Sequence, residues 1–148
     1  MEIKRIEKNK KDYLDLLLLA DEQEDMIDRY LDRGEMFVLL DAGITRCIAV
    51  VTEESPQVCE LKNLATRPQD QKKGYGRAMV HFLFSHYAGR YQKMLVGTGE
   101  SPLTVPFYEK CGFSYSHRIK NFFLEHYDHP IIEAGKQLTD MVYLAKDL

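Results

Sequence analysis

Residues 58–96 run from an apolar strand pattern through a polar turn and a helical pattern to a second strand at 93–96. The turn carries Gly74 and Gly76, and the helix predicted at 77–87 has apolar residues at helical spacing. A crossover helix of this length suits two parallel strands that are joined right-handedly. The segment therefore predicts a sheet with a parallel strand pair.

The N-terminal third predicts a strand and two helices. A strand at 3–6 is followed by helical spacing over 11–33, with no Gly or Pro in that stretch. We expect the two helices to be broken near Ala20 and Asp21, with Gly34 as the C-cap of the second helix.

The other patterns predict further short elements, with no repeat or linker between them. Strands at 36–40, 44–52 and 58–65 are expected to form an antiparallel meander. After the segment described first, the predictions are a short helix at 105–110, a strand from about Phe113, a loop at 127–137 and a last strand at 141–144.

The composition limits the class of protein. The chain has 148 residues, 45% hydrophobic and 29% charged, which suits a single domain over 1–148. A net charge of -3 gives no reason to expect a nucleic-acid or membrane partner. The apolar run at 16–20 is too short for a signal peptide or a membrane span, so we expect a cytoplasmic protein. The three cysteines have no metal-ligand spacing and are expected to be reduced thiols.

The glycine turn is a candidate phosphate site. Backbone N–H groups and the positive end of the following helix can face a diphosphate, with the lysines and the arginine as matching charges. The alternative is a tight turn with solvated lysines. The chain lacks GxxxxGK[ST], and Met79 stands where GxGxxG needs its third glycine. The candidate residues are Gln71, Lys72, Lys73, Gly74, Tyr75, Gly76 and Arg77.

Two motifs carry a resemblance to a known family. The run from Leu64-Ala65-Thr66 to Gln71-x-x-Gly74-x-Gly76 resembles motif A of the GNAT acetyltransferases. Downstream, Phe107-Tyr108-Glu109-Lys110-Cys111-Gly112-Phe113 is similar to their motif B, in the family's order and one strand later. The resemblance covers essentially the whole chain, and the C-terminal pattern at 121–131 resembles small bacterial members of poorly defined substrate.

The resemblance implies an α/β (α+β) fold. It has a mixed, mostly antiparallel sheet of about six to seven strands and about four helices, in the order β-α-α-β-β-β-α-β-α-β-β. The implied activity is transfer of an acetyl group from acetyl-CoA to a primary amine, on a small molecule or a protein. Family members often form homodimers, and no sequence feature decides that question here.

The resemblance also implies a cofactor site. Backbone groups of Leu64, Ala65 and Thr66 would bond the pantetheine arm in a gap between two strands that splay apart. The glycine turn, Gln71 to Arg77, would hold the pyrophosphate. The family often has an Asn in the loop after the strand at 93–96. The loop here has none, and Ser101 is the expected substitute.

Two residues match the family's catalytic positions. A lysine-like amine is mostly protonated at pH 7, and exposing its lone pair costs about 4 to 5 kcal/mol unless a base assists. Glu60 matches the general base, and strand alternation predicts it on one face with Lys62 and Leu64. Tyr108 matches the acid that protonates the leaving thiolate. The alternatives are a solvent-facing glutamate and an aromatic core residue.

Several other features receive weaker interpretations. His117, His126 and His129 lack a metal-ligand spacing, so we predict no metal, and Cys111 is expected to be a small buried residue. Seven acids in 21–35 favour a cationic acceptor only mildly, because a solvated helix face explains them equally well. Two other functions stay open: a non-catalytic acyl-CoA-binding domain, and a binder of a different phosphate ligand.

Overall fold

The computed structural model describes residues 1–148 and contains nine strands and five helices. The strands are β1 (Glu2–Ile6), β2 (Glu35–Asp41), β3 (Ile44–Ser55), β4 (Val58–Thr66), β5 (Lys93–Gly99), β6 (Ser114–Ile119), β7 (Ile132–Glu133), β8 (Lys136–Gln137) and β9 (Met141–Asp147). The helices are α1 (Leu14–Ala20), α2 (Glu24–Ile27), α3 (Tyr75–Tyr87), α4 (Val105–Cys111) and α5 (Phe122–His126).

Seven strands form one mixed sheet in the order β1-β2-β3-β4-β5-β9-β6, which confirms the predicted α/β fold. Only the β4–β5 pair is parallel, and α3 is its crossover helix. Pairing between these strands ends at Leu61 and Val96, although β4 continues to Thr66 and β5 to Gly99. The two strands therefore part in their second halves, and a gap opens inside the sheet.

A β-bulge in β4 changes which side chains share a face. Val50 pairs with Asn63 and Val51 with Leu61, so Lys62 is the extra residue. Before the bulge, Leu61 packs in the cluster beneath α3, and after it Leu64 also contacts that cluster. Glu60 lies on the opposite face from Leu61. The prediction that Glu60 shares a face with Leu64 is therefore wrong, because the bulge shifts the alternation.

Each face of the sheet has its own core. On one face, Met79 and Leu83 of α3 pack on strand residues such as Val51. On the other, Leu16 and Leu17 of α1 pack on residues that include Ile48 and Val50. The apolar faces of α3 and α1 therefore cover opposite faces of the sheet at β4. No helix of the protein is both long enough and apolar enough to cross a membrane.

The predicted second helix is shorter than expected. It ends at Ile27, and the chain continues to Gly34 in tight turns, with Tyr30 N–H bonded to Ile27 O at 3.1 Å. Lys10 Nζ donates to the carbonyl oxygen of Gly34 at 2.6 Å. Gly34 is not a left-handed C-cap. It is needed for close packing, because a Cβ there would lie 2.6 Å from Val50 Cγ1.

The segment 122–138, here called the C-terminal strap, replaces the loop predicted at 127–137. It contains α5 and the β7–β8 hairpin, whose turn residues Ala134 and Gly135 have φ of 51° and 74°. The turn geometry matches a tight hairpin with left-handed central residues. A small apolar cluster holds the strap together, formed by Phe123, Ile131 and Leu138. The strap lies against the end of β5, where Leu138 packs on Gly99.

Candidate active site

A cavity of about 240 Å³ lies where β4 parts from β5. Five of the predicted cofactor-binding and catalytic residues line it: Leu64, Ala65, Thr66, Gln71 and Tyr108. The strap and the α1–α2 loop line it as well. Asp21 and Glu22, from the acid-rich stretch that mildly favoured a cationic acceptor, also line it. Lining residues without a predicted role include Asn63, Thr98, Thr104, Tyr127 and Glu133.

The second half of β4 has one free backbone edge. Leu64, Ala65 and Thr66 pair with β3 on one side, and β5 has already moved away on the other. Backbone donors and acceptors on that side point toward the cavity rather than to another strand. These groups can hydrogen-bond an extended ligand that carries amides.

The glycine turn ends in an uncapped helix N-terminus. The first α-helical hydrogen bond of α3 runs from Ala78 N–H to Gly74 O at 3.0 Å, and no side chain caps the helix. The amides of Tyr75, Gly76 and Arg77 therefore have no carbonyl partner within the helix. Gly74 has a φ of 90°, and a Cβ there would meet no atom within 4 Å. The N–H groups are open to an anion.

Some side chains around this turn already have partners within the protein, and others are free to contact a ligand. Tyr75 donates to Asp41 Oδ2 at 2.7 Å, which lowers the pKa of Asp41 and leaves only the backbone of Tyr75 for a ligand. Lys73 Nζ lies 3.8 Å from buried Asp70, which also pairs with Arg46 at 2.9 Å. The exposed side chains of Lys72 and Arg77 extend into solvent.

Three elements meet at the start of α3. Gln71 Nε2 donates to Thr66 O at 3.3 Å, which joins the turn to the end of β4. A Cβ at Gly76 would lie 3.2 Å from Phe107 Cζ and 3.8 Å from Thr66 Oγ1. Glycine at position 76 therefore allows α3, β4 and α4 to approach closely, in addition to exposing its amide.

Tyr108 lies on α4 at the cavity wall and is 9% exposed. It packs against Phe107 and Phe113, so Tyr108 is an aromatic core residue as well as a residue of the cavity wall. Burial raises the pKa of Tyr108, and the nearby Glu133 carboxylate contributes to the rise. The phenol therefore stays protonated at neutral pH and is able to donate a proton.

Glu60 lies outside the set of residues that line the cavity. It is 6% exposed, and its Oε2 atom lies 2.9 Å from Nζ of Lys62, which does line the cavity. Burial raises the pKa of Glu60, and Lys62 opposes that rise. The alternative of a solvent-facing glutamate is excluded by its burial.

Ser101 also lies away from the cavity. It is 3% exposed, and its hydroxyl accepts a hydrogen bond from Leu103 N–H at 3.1 Å in the turn before α4. The position of Ser101 does not support the predicted cofactor contact. Thr98 and Thr104 line the cavity in this region, with their hydroxyl oxygens 2.8 Å apart.

Hydrogen bonds join the strap to the α1–α2 loop at the far end of the cavity. Asp21 accepts from Tyr30 at 3.0 Å and from Tyr127 at 2.6 Å, and burial raises the pKa of this carboxyl. Glu22 lies 2.9 Å from Nε2 of His129. The strap is thereby held over the cavity. The contacts between these two segments could not be predicted, because the segments are distant in sequence.

The histidines and Cys111 have other surroundings. His117 stacks on Tyr143 with ring centroids 4.8 Å apart, and His126 packs against Phe122. The protein has no group of three His, Cys, Asp or Glu side chains placed to hold a metal ion. Cys111 is buried, and burial raises the pKa of its thiol, as for an inert core cysteine.

Residues 32–115 match the family described as acetyltransferase (GNAT) domain. The chain belongs to the GNAT acetyltransferase family, as motifs A and B implied. It is 38% identical over 136 residues to the uncharacterized N-acetyltransferase YvbK of Bacillus subtilis (strain 168), covering 90% of this chain and 88% of that protein.

Solved structures show the same fold with ligands of one kind. A GNAT family acetyltransferase from Elizabethkingia anophelis with acetyl-CoA bound is 31% identical, with a TM-score of 0.94 over 99% of this chain and 97% of that one. A Bacillus subtilis acetyltransferase in complex with CoA is 36% identical, with a TM-score of 0.90 over 99% and 98% of the two chains.

Proposed function

We propose that the protein transfers the acetyl group of acetyl-CoA to a primary amine by direct attack in a ternary complex. One observation carries the proposal: the parting of β4 and β5 opens a cavity that has a free backbone edge and the protonated phenol of Tyr108 on its walls. The CoA and acetyl-CoA complexes of similar proteins support the choice of cosubstrate.

The cofactor's parts match different chemical features of the site. The free edge at Leu64, Ala65 and Thr66 is suited to the amides of the pantetheine arm. The open amides of the glycine turn from Gln71 to Arg77 suit the pyrophosphate, and exposed Lys72 and Arg77 add positive charge. An N–H group of the β4 edge is also suited to polarise the thioester carbonyl.

The reaction requires two proton transfers from the acceptor nitrogen. The ammonium gives one proton to a base, and the freed lone pair attacks the thioester carbon to form the N–C bond. When the tetrahedral intermediate collapses, the C–S bond breaks and its electron pair stays on sulfur. Tyr108 protonates the departing thiolate, and the nitrogen's second proton returns to the phenolate. The products are the amide, the CoA thiol and one proton released from the base.

Glu60 is the proposed base. Its raised pKa brings it nearer to neutral pH, where a base combines availability with strength. Because Glu60 lies behind Lys62 rather than on the cavity wall, we propose that it receives the proton through a water molecule.

Calorimetric titration with acetyl-CoA tests the cofactor assignment. Gly74→Glu places a carboxylate at the proposed pyrophosphate site. Gly135→Glu is a matched control, because Gly135 also has a positive φ and open space where a Cβ would lie, but it is at the hairpin tip. We expect Gly74→Glu to weaken binding at least about 10-fold and Gly135→Glu to leave it unchanged. No wild-type binding, or equal loss in both variants, overturns the assignment.

A thiol assay for released CoA, run over a series of primary amines, tests the activity. We expect CoA release that depends on the amine and forms the N-acetylated product. Acetyl-CoA binding without release on any amine contradicts catalysis and favours the non-catalytic acyl-CoA-binding domain.

A further inference from the structure

The protein contains three buried side-chain polar atoms without a hydrogen-bond partner, namely Asn63 Oδ1, Asp70 Oδ2 and Glu133 Oε2. Asn63 and Glu133 both line the active-site cavity. Buried polar atoms are nearly always paired, so unpaired ones need an explanation. Both of these cavity atoms are oxygens that accept hydrogen bonds, and together they indicate that the missing partner is a donor.

The orientation of Asn63 is fixed by its other contacts. Asn63 is 2% exposed, and its Nδ2 group donates to Leu17 O at 3.0 Å and to the Tyr30 hydroxyl at 3.1 Å. A backbone carbonyl only accepts, so the nitrogen must face Leu17. The Tyr30 hydroxyl uses its proton on Asp21, so it too accepts from Asn63. Oδ1 is therefore the atom that is left without a partner.

The strap places Glu133 at the cavity. Ile131 is 5% exposed, Ile132 is 53% exposed and Glu133 lines the cavity, as expected from strand alternation in β7. The hairpin is anchored where Leu138 packs on Gly99. The geometry of the strap therefore directs a carboxylate toward the reaction site.

Glu133 differs from the other two carboxylates at the cavity. Asp21 accepts hydrogen bonds from two tyrosine hydroxyls, and Glu22 pairs with His129 at 2.9 Å. The one lysine that lines the cavity, Lys62, is paired with Glu60 at 2.9 Å. Glu133 has neither an ion pair nor a hydrogen bond to Oε2. The Glu133 residue is half-buried, but its Oε2 atom is fully buried, and a buried carboxylate oxygen without a donor is unfavourable until a cationic ligand supplies one.

We infer that Glu133 and Asn63 Oδ1 form the subsite that receives the ammonium group of the acceptor, so the acceptor is a primary alkylamine that binds as a cation. An ammonium has three N–H donors and no acceptor, which matches the two buried, unpaired acceptor oxygens of Asn63 and Glu133. The inference rests on the proposed function and deepens it, because it names the charge and class of the substrate. It gives Glu133 a binding role and leaves proton removal to Glu60.

The test is calorimetric titration of n-butylamine, as butylammonium at pH 7.5, into protein saturated with CoA. Glu133→Gln removes the charge and keeps the shape. Glu125→Gln is the matched control, since Glu125 is exposed on α5 of the same strap and does not line the cavity. We expect Glu133→Gln to weaken butylammonium binding at least about 10-fold and Glu125→Gln to leave it unchanged.

Two results would overturn the inference. One is butylammonium binding that is absent from the wild-type complex or equal in wild type and Glu133→Gln. The other is an equal loss in both variants, which would show that the effect comes from the net charge of the protein and not from position 133. Glu133→Gln protein should bind acetyl-CoA as wild type does, which verifies its fold. Acetyl-CoA binding and CoA release are measured separately, so failure of the subsite is distinguishable from failure of the acetyltransferase proposal.

Discussion

The two ends of the active-site cavity are built from different parts of the chain. The glycine turn and the free edge of β4 present backbone groups, contributed by one continuous stretch from Leu64 to Arg77. The opposite end presents side chains, namely Asn63, which directly precedes that stretch on β4, and Asp21 and Glu133, which come from two distant segments. Backbone groups suit the cosubstrate, which a family shares, because they do not depend on side-chain identity. Side chains such as those of Asp21, Asn63 and Glu133 are suited to a particular acceptor.

Tyr108 lines the same cavity from α4, and its removal should have the largest effect. Tyr108→Phe keeps the ring that packs on Phe107 and Phe113 but removes the proton donor. We expect kcat to fall about 100-fold or more, because a positioned acid contributes roughly that factor. Steady-state kinetics with an acetylated amine provide the measurement.

The affinities at the two ends serve as the control for Tyr108→Phe. The dissociation constants of acetyl-CoA and of the amine should both stay within about two-fold of wild type, since neither end contains the phenol. A normal kcat in the variant would show that another group protonates the thiolate.

A smaller effect is expected where the strap meets the sheet. A Cβ at Gly99 would overlap the Leu138 side chain, with Cδ2 at 2.9 Å, so Gly99→Ala should displace the strap. Overpacking of this kind costs about 1–3 kcal/mol. We expect the amine KM to rise about 10-fold while acetyl-CoA affinity changes much less. Equal losses in both would show that the two ends do not act separately.

The matched control is Gly89→Ala. A Cβ at Gly89 meets no atom within 4 Å, and its φ is not in the left-handed range. This variant should leave the amine KM unchanged, which separates loss of a glycine from displacement of the strap.

The smallest effect concerns His129, whose contacts with Asp128 and Glu22 raise its pKa above the ordinary value of about 6.5. The stability that the charged ring contributes is therefore fully present below about pH 6.5 and is lost as the pH rises through the higher folded value. Because His129 is exposed, the contribution is small.

Limited proteolysis of the strap measures this contribution. His129→Gln should be cleaved about two- to three-fold faster than wild type at pH 6 and at the wild-type rate at pH 9. Comparing the two proteins at each pH cancels the pH dependence of the protease. A difference that persists at pH 9 would assign the effect to packing rather than to charge.

Most of the fold could be predicted because its signals are local. Short apolar runs bounded by turn residues predicted the strands up to β5, and the spacing of Met79 and Leu83 predicted α3. Two features depend on tertiary contacts and could not be predicted. The chain at 28–33 forms tight turns although its spacing is helical, and the strap folds through a cluster around Leu138.

The site residues also divide into those marked by local sequence motifs and those that depend on tertiary contacts. Leu64, Gln71 and Tyr108 were predicted to lie at the active site from two short motifs, and all three line the cavity. Asn63 and Glu133 were missed, because one depends on a bulge and the other on a hairpin in a predicted loop. Whether the predicted residues perform their roles stays a prediction for the variants above.

The parting of β4 from β5 gives the sheet an edge in its interior. Unpaired strand edges usually lie at the rim of a sheet, where they invite pairing with other chains and aggregation. Here α1 and α3 pack against β4 on its two faces, so this edge is shielded from above and below. Only a thin, amide-bearing molecule that enters along the gap can therefore form strand-like hydrogen bonds with this edge. The same arrangement protects the unliganded protein from self-association through that edge.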